Sequence, residues 1–166
     1  LGSPGQDAEG RPRFQLSEKD GTRTTFTRYL SLGAYLPSML EDRNGDIWFS
    51  CYLGGLSCYD GVRFTAFTTQ EGLGGSSVIH MCEDGSGNIW CAWGGGVCRY
   101  DRGQFAVFTI RDGLASDGVM SVLEDRQGQI WCGTWNGVSR CDGRTCTTLT
   151  MARLQNVHVR ALCEDR

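Results

Sequence analysis

Apolar and polar positions alternate in short runs along this chain, and the runs come in sets. Between Val78 and Thr109 four of them follow one another: Val78 to Cys82, Asn88 to Trp93, Val97 to Tyr100 and Gln104 to Thr109. Short alternating runs bounded by Gly, Asp and Asn are the pattern of β-strands joined by tight turns. The connections read Glu83-Asp84-Gly85-Ser86-Gly87, Gly94-Gly95-Gly96 and Asp101-Arg102-Gly103. An Asp whose carboxylate takes the backbone N–H groups ahead of it, followed by Gly where φ must be positive, suits a hairpin. Four strands a, b, c and d then form one antiparallel meander.

The set recurs. The pairs Glu41-Asp42, Glu83-Asp84, Glu124-Asp125 and Glu164-Asp165 are separated by steps of 42, 41 and 40 residues, and Trp48, Trp90 and Trp131 each follow the Glu of a pair by seven residues. A repeat of about 40 residues with strand patterning marks a radial or stacked architecture. One meander cannot bury its two faces, whereas several set around an axis bury them against each other and leave only short edges. The expected fold is all-β: a β-propeller of four-stranded antiparallel blades, three of them full and one partial. Repeat one spans residues 40–81, repeat two 82–122 and repeat three 123–162, with 163–166 starting a further one. Residues 13–39 hold a partial blade, with Phe14 to Ser17 as a strand c, Asp20 to Thr27 as a strand d and Tyr35 to Leu40 as the next strand a. Residues 1–12 read as a tail or truncated junction. Val157 to Cys163 reads as a last strand a, and Met151 to Gln155 leaves room for a helical turn.

Ile47-Trp48, Ile89-Trp90 and Ile130-Trp131 fall in mid-sheet on strand b and are assigned to the core between blades. A buried aromatic side chain removes roughly 150–250 Å² from water, several kcal/mol at ~25 cal/mol per Å². Asp42, Asp84 and Asp125, with Gly45, Gly87 and Gly128, are assigned to ordering the a–b turns.

The pattern E-D-x-x-G-x-I-W, then G-G-[LV], then Y-D-G or Y-D-R-G, then F-x-x-F-T-x-x-[DE]-G-L resembles the two-component regulator propeller repeat family. It runs through Leu40 to Val122 and, with wear, to Arg166: Cys141 stands at the Tyr position, and 144–149 lacks both Phe residues. The resemblance implies β-propeller blades, usually the extracytoplasmic sensor part of hybrid histidine kinases and often tied to carbohydrate sensing.

Composition narrows the partners. The net charge is −3 with both signs interspersed, and nothing forms the basic stripe of a nucleic-acid binder. No apolar run approaches the ~20 residues of a membrane span. Nine cysteines are an odd number without the dense spacing of a disulfide scaffold. Cys91 and Cys132 share the position of Phe49, and Cys82 and Cys163 that of Leu40 and Leu123. Most are therefore read as inert core thiols, a free Cys behaving as a small hydrophobe. That reading leans towards a reducing compartment, whereas the resemblance points to the periplasm; the compartment stays open. No C-x-x-C pair supports zinc, and no metal or cofactor is expected.

No catalytic constellation accompanies the repeat. Acid pairs present in every unit are turn elements rather than one active site. The run from Asp42 to Asp46 lacks the length and terminal Glu of a calcium loop, and Gly94-Gly95-Gly96 lacks the Lys-Ser/Thr of a phosphate loop. One constellation remains. The b–c hairpins carry Tyr52, Trp93 and Trp135, and the d–a connections on the same side carry Glu71, Arg111 and Asp112. Aromatic faces among charged groups suit a sugar, so these six are the candidate ligand-binding residues; capping of the core is the competing role for the aromatics. The expected function is a non-enzymatic recognition module, a fragment of a larger propeller, binding carbohydrate or peptide. The alternative is a scaffold fragment that closes a ring with other blades or copies of itself. A propeller lyase or hydrolase ranks last, because it needs a His and acid cluster in the channel and only His80 is available.

Overall fold

The computed structural model describes residues 5–6, 12–17, 23–26, 37–51, 54–149 and 157–165, and of 5–26 and Cys51 only the backbone. Tyr52 and 151–155 lie outside the described residues. The chain divides into two compact units, Leu1–Tyr35 and Leu36–Arg166.

The first unit holds β1 (Gly5–Gln6), β2 (Pro12–Ser17) and β3 (Arg23–Phe26), an antiparallel sheet in the order β1-β2-β3. Phe14 pairs with Phe26 and Ser17 with Arg23, within the stretches read as strands c and d. β1 falls inside the span 1–12 that the sequence suggested as a tail.

The second unit holds three four-stranded blades. The first comprises β4 (Met39–Glu41), β5 (Ile47–Cys51), β6 (Gly55–Tyr59) and β7 (Phe64–Phe67). The second comprises β8 (Val78–Glu83), β9 (Ile89–Trp93), β10 (Gly96–Asp101) and β11 (Gln104–Phe108). The third comprises β12 (Val119–Glu124), β13 (Ile130–Thr134), β14 (Gly137–Cys141) and β15 (Cys146–Thr148). In each, sequential strands are neighbours and all pairings are antiparallel. The chain is thus an all-β protein of propeller blades.

Side chains alternate across a strand, so one blade serves two interfaces. Ile89, Cys91 and Cys98 of the second blade pack with Trp48, Leu56 and Cys58 of the first. Their sequence neighbours Trp90, Ala92 and Val97 pack with Val122, Ile130 and Cys132 of the third. Trp90, between blades, is 1% exposed; Trp131, on the outer face of the third blade, is half-buried, as is Ile47 on the first.

The worn part of the repeat has a physical explanation. In the first two blades the c–d hairpin is held by an aromatic pair, Tyr59 with Phe64 and Tyr100 with Phe105, ring centroids 4.8 and 5.0 Å apart. In the third blade the equivalent, directly opposed positions are Cys141 and Cys146, and they form a disulfide. These two cysteines are thus not among the free thiols, and a covalent link takes the place of an aromatic pair.

A second difference lies at 157–165. No strand is assigned there. The segment is nevertheless held, with Val159 N–H donating to the Thr134 carbonyl and Gly137 N–H to that of Val157, both at 2.9 Å. It lies against the face of the third blade that carries Trp131, without a ladder partner among the described residues.

Candidate functional site

The two ends of the blades do different work. At the a–b end each Asp organises its own turn. Asp42 Oδ1 accepts from the amides of Asn44 and Asp46 at 2.9 and 3.0 Å, and its Oδ2 accepts Trp48 Nε1–H at 2.9 Å. Asp84 repeats this with Ser86, Asn88 and Trp90, and Asp125 with Gln127, Gln129 and Trp131. Gly45, Gly87 and Gly128 close these turns at φ of 86°, 86° and 75°, where a Cβ is disfavoured. Burial pushes the Asp84 carboxyl up, but the bonds from Asn88, Trp90 and the turn amides outweigh it and hold the group below the ordinary carboxylate value. For Asp125 the Trp131 hydrogen bond leads, and the direction is the same. The indole donor was legible: Asp and Trp stand six apart in every repeat. The sequence reading gave Asp only the turn.

The Glu of the second, third and fourth pairs belongs to the preceding blade's turn. Glu83 Oε2 accepts the Arg43 amide at 3.0 Å, and its Oε1 meets Arg43 Nε at 2.6 Å. Glu124 Oε1 accepts the Gly85 amide at 2.7 Å, and Glu164 Oε1 that of Arg126 at 3.3 Å. Glu83-Asp84 and Glu124-Asp125 are therefore each a tether to the blade before and a clasp within their own blade. All these carboxylates are committed to the fold.

The b–c hairpins and d–a connections make the other end, laced together by Gly55 N–H to Ser76 O, Trp135 N–H to Gly118 O and Gly137 N–H to Val157 O. Here the structure separates the candidate residues. Glu71 accepts Thr68 N–H and its hydroxyl, each at 2.7 Å, and Asp112 does the same for Thr109 at 2.8 and 3.1 Å. Both are capping boxes of one-turn 3-10 helices. The Thr68 hydroxyl and amide hold the Glu71 carboxyl below its ordinary value. Trp93 lies flat on backbone: a Cβ added at Gly74 or Gly75 would meet its ring at 2.8 or 2.0 Å. It is half-buried, with Nε1 enclosed. Trp135 also lies over a glycine, Gly118, but is 52% exposed and stacks near-parallel on His158, centroids 6.4 Å apart. Arg111 and Ile110 are exposed on the adjoining connection, Ile110 at 56%. Trp135, His158, Ile110 and Arg111 thus remain as side chains on this end that the fold does not consume. Ile110 was not singled out in the sequence. Ile110 stands in the 3-10 turn, and an apolar residue exposed there was the missing signal.

A concavity lies elsewhere. A groove of about 380 Å³ lies between Trp131, Leu123 and Asp125 on the third blade and Leu162, Cys163, Glu164 and Asp165. Among the described residues no three His, Cys, Asp or Glu side chains converge on a possible metal position, and no helix is long and apolar enough to cross a membrane. His80, on the inner strand β8, faces the Val122 amide at 3.5 Å.

Residues 113–136 match the family described as two component regulator propeller. Among solved structures, the extracellular domain of a putative hybrid two component system, BT3049 from B. thetaiotaomicron, superposes with a TM-score of 0.71 at 21% identity, over 97% of this chain and 24% of that one. The extracellular domain of BT4673 from the same organism does so with a TM-score of 0.59 at 17% identity, over 89% and 24%. A virginiamycin B lyase from Staphylococcus aureus superposes with a TM-score of 0.63 at 14% identity, over 90% and 55%. These likenesses establish a common fold. The chain spans about a quarter of the length of the two sensor domains. No curated protein matches it.

Proposed function

We propose that this chain, which carries the two component regulator propeller repeat, is a recognition module without enzymatic chemistry, part of a larger propeller of a sensor-like protein. Its ligand, a carbohydrate or peptide, binds on the end formed by the b–c hairpins and d–a connections. The observation behind this is Trp135, a large aromatic ring 52% exposed on a hairpin tip and propped from below by Gly118 and His158. An exposed indole held rigidly offers a sugar CH face or an apolar side chain a contact at little entropic cost. Arg111, exposed on a d–a connection of the same end, supplies donors. The likeness in fold to extracellular sensor domains agrees with this role. The likeness to the lyase is one of fold alone.

Panels of oligosaccharides and peptides, followed by calorimetry, test the proposal. A ligand found for the wild type should bind Trp135→Ala about threefold to tenfold more weakly, the worth of one aromatic contact, with an unchanged melting temperature. Trp93→Ala should instead lower the melting temperature. Equal affinity in Trp135→Ala, or no ligand from either class, removes the proposal.

A second reading, association with other blades or copies of the chain, is favoured by one observation: the half-exposed Trp131 and the groove beside it, where the equivalent Trp48 and Trp90 are covered by a following blade.

A further inference from the structure

Two cysteines of the second blade have no part in the ligand-binding end or in the tethers. Cys91 on β9 and Cys98 on β10 are directly opposed partners in the ladder. Both are fully buried. Both are free thiols in this structure. The hairpin between them turns through two residues, Gly94 and Gly95, which fixes the register. Opposed Cα atoms of an antiparallel pair lie about 4.5–5.5 Å apart, inside the range of about 4.4–6.8 Å that a disulfide spans. In the third blade, opposed cysteines on neighbouring strands are already joined, Cys141 to Cys146. At the positions of Cys91 and Cys98 the first blade has Phe49 and Ser57, and the third has Cys132 and Ser139. Only the second blade can make a bond there.

We propose that Cys91 and Cys98 form a second cross-strand disulfide when the chain folds in the presence of a small-molecule disulfide as oxidant. One cysteine thiolate attacks the oxidant, giving a mixed disulfide and releasing one small thiol. The other cysteine, as thiolate, attacks the bonded cysteine sulfur and releases the second small thiol. The oxidant takes up two electrons, and the two protons lost by the cysteines end on the released thiols. The exchange precedes the docking of the first blade, because Trp48, Leu56 and Leu73 then close over the pair. Hairpins form in about 1–10 μs, so a chain not yet stacked, or transiently reopened, makes and remakes the opposed pair many times during an exchange that takes seconds or longer. With this bond the second blade is stapled b to c and the third c to d. The abundance of cysteine then fits a compartment that supports disulfides.

The test is oxidative refolding of the reduced 166-residue chain with glutathione disulfide, followed by alkylation and peptide mapping. The expected map links Cys91 to Cys98 as well as Cys141 to Cys146. Cys98→Ser should leave Cys91 alkylated and the third-blade bond intact, and the double variant Cys141→Ser, Cys146→Ser should keep the Cys91–Cys98 link. A folded, oxidised wild type in which Cys141–Cys146 is bonded while Cys91 and Cys98 are both alkylated overturns the proposal. So does a map that joins either of them to another cysteine. Should the serine variants fail to fold, the wild-type map alone decides.

Discussion

A buried indole N–H left without an acceptor costs stability, and the second blade gives Trp90 an ionised one, Asp84, at 2.8 Å. Hydrogen bonds to charged groups contribute about 1.5–3 kcal/mol. Asp84→Asn keeps an acceptor for the turn amides but loses the charge, so it should destabilise by about 1–2 kcal/mol in urea unfolding. The pH dependence carries the same signature. Asp84 and Asp125 are held below their ordinary value, which in the unfolded chain is about 3.9. Their contribution is complete above that pH and is lost as the pH falls through the lower folded-state values. Stability should therefore fall with acid below about pH 4, and Asp84→Asn should flatten that limb; an unchanged acid limb would remove Asp84 from the account. The constant spacing of Asp and Trp makes this bond readable from the sequence. The exposure of Trp135 against the enclosure of Trp93 is not. Trp93 is the last residue of β9 and Trp135 the first beyond β13, and what opposes them differs, Gly74, Gly75 and Gly95 against Gly118.

At the scale of elements, the strands and their order followed from period-two alternation and from turn residues, and the observed second blade departs from the expected bounds by one residue at most. The links between blades were hidden, because they join residues about 40 apart that no local pattern relates. The tether from Glu83 to Arg43 is the clearest, with a 2.6 Å ion pair and a bond to the Arg43 amide. Arg43 is 47% exposed, so the ion pair itself is worth about 0.2–1 kcal/mol. A double-mutant cycle with Arg43→Ala and Glu83→Gln should return a coupling in that range that shrinks as salt is added. Glu83→Gln keeps an acceptor for the amide, whereas Glu83→Ala loses it and should cost about 1 kcal/mol more. Equal losses in the two variants would mean that the amide bond does not hold the blades. The disulfide of the third blade was half-legible. Two cysteines standing where a Tyr and a Phe stand in the other repeats mark positions that face each other, but an odd total of nine obscured the pair.

For the whole molecule the deciding quantity is how many faces of each blade are covered. The second blade contributes to two apolar clusters, one on each side. The third is covered on the side of Trp90 and Phe108, while its other face carries Trp131 and the groove beside 157–165. Repeat architectures derive stability from such neighbour contacts, and local opening free energies follow them. At low protein concentration, amides of β9 and β10 should therefore exchange more slowly than those of β13 and β14, even though a disulfide staples the third blade. If copies of the chain stack on the Trp131 face, raising the concentration should slow exchange in β13 and β14 selectively, together with a rise in mass in solution. Trp131→Glu should abolish both changes and leave β9 and β10 as they were. Equal protection of the two blades in a chain that stays monomeric would show that the Trp131 face is not an unmet blade interface, and the case for association would go with it.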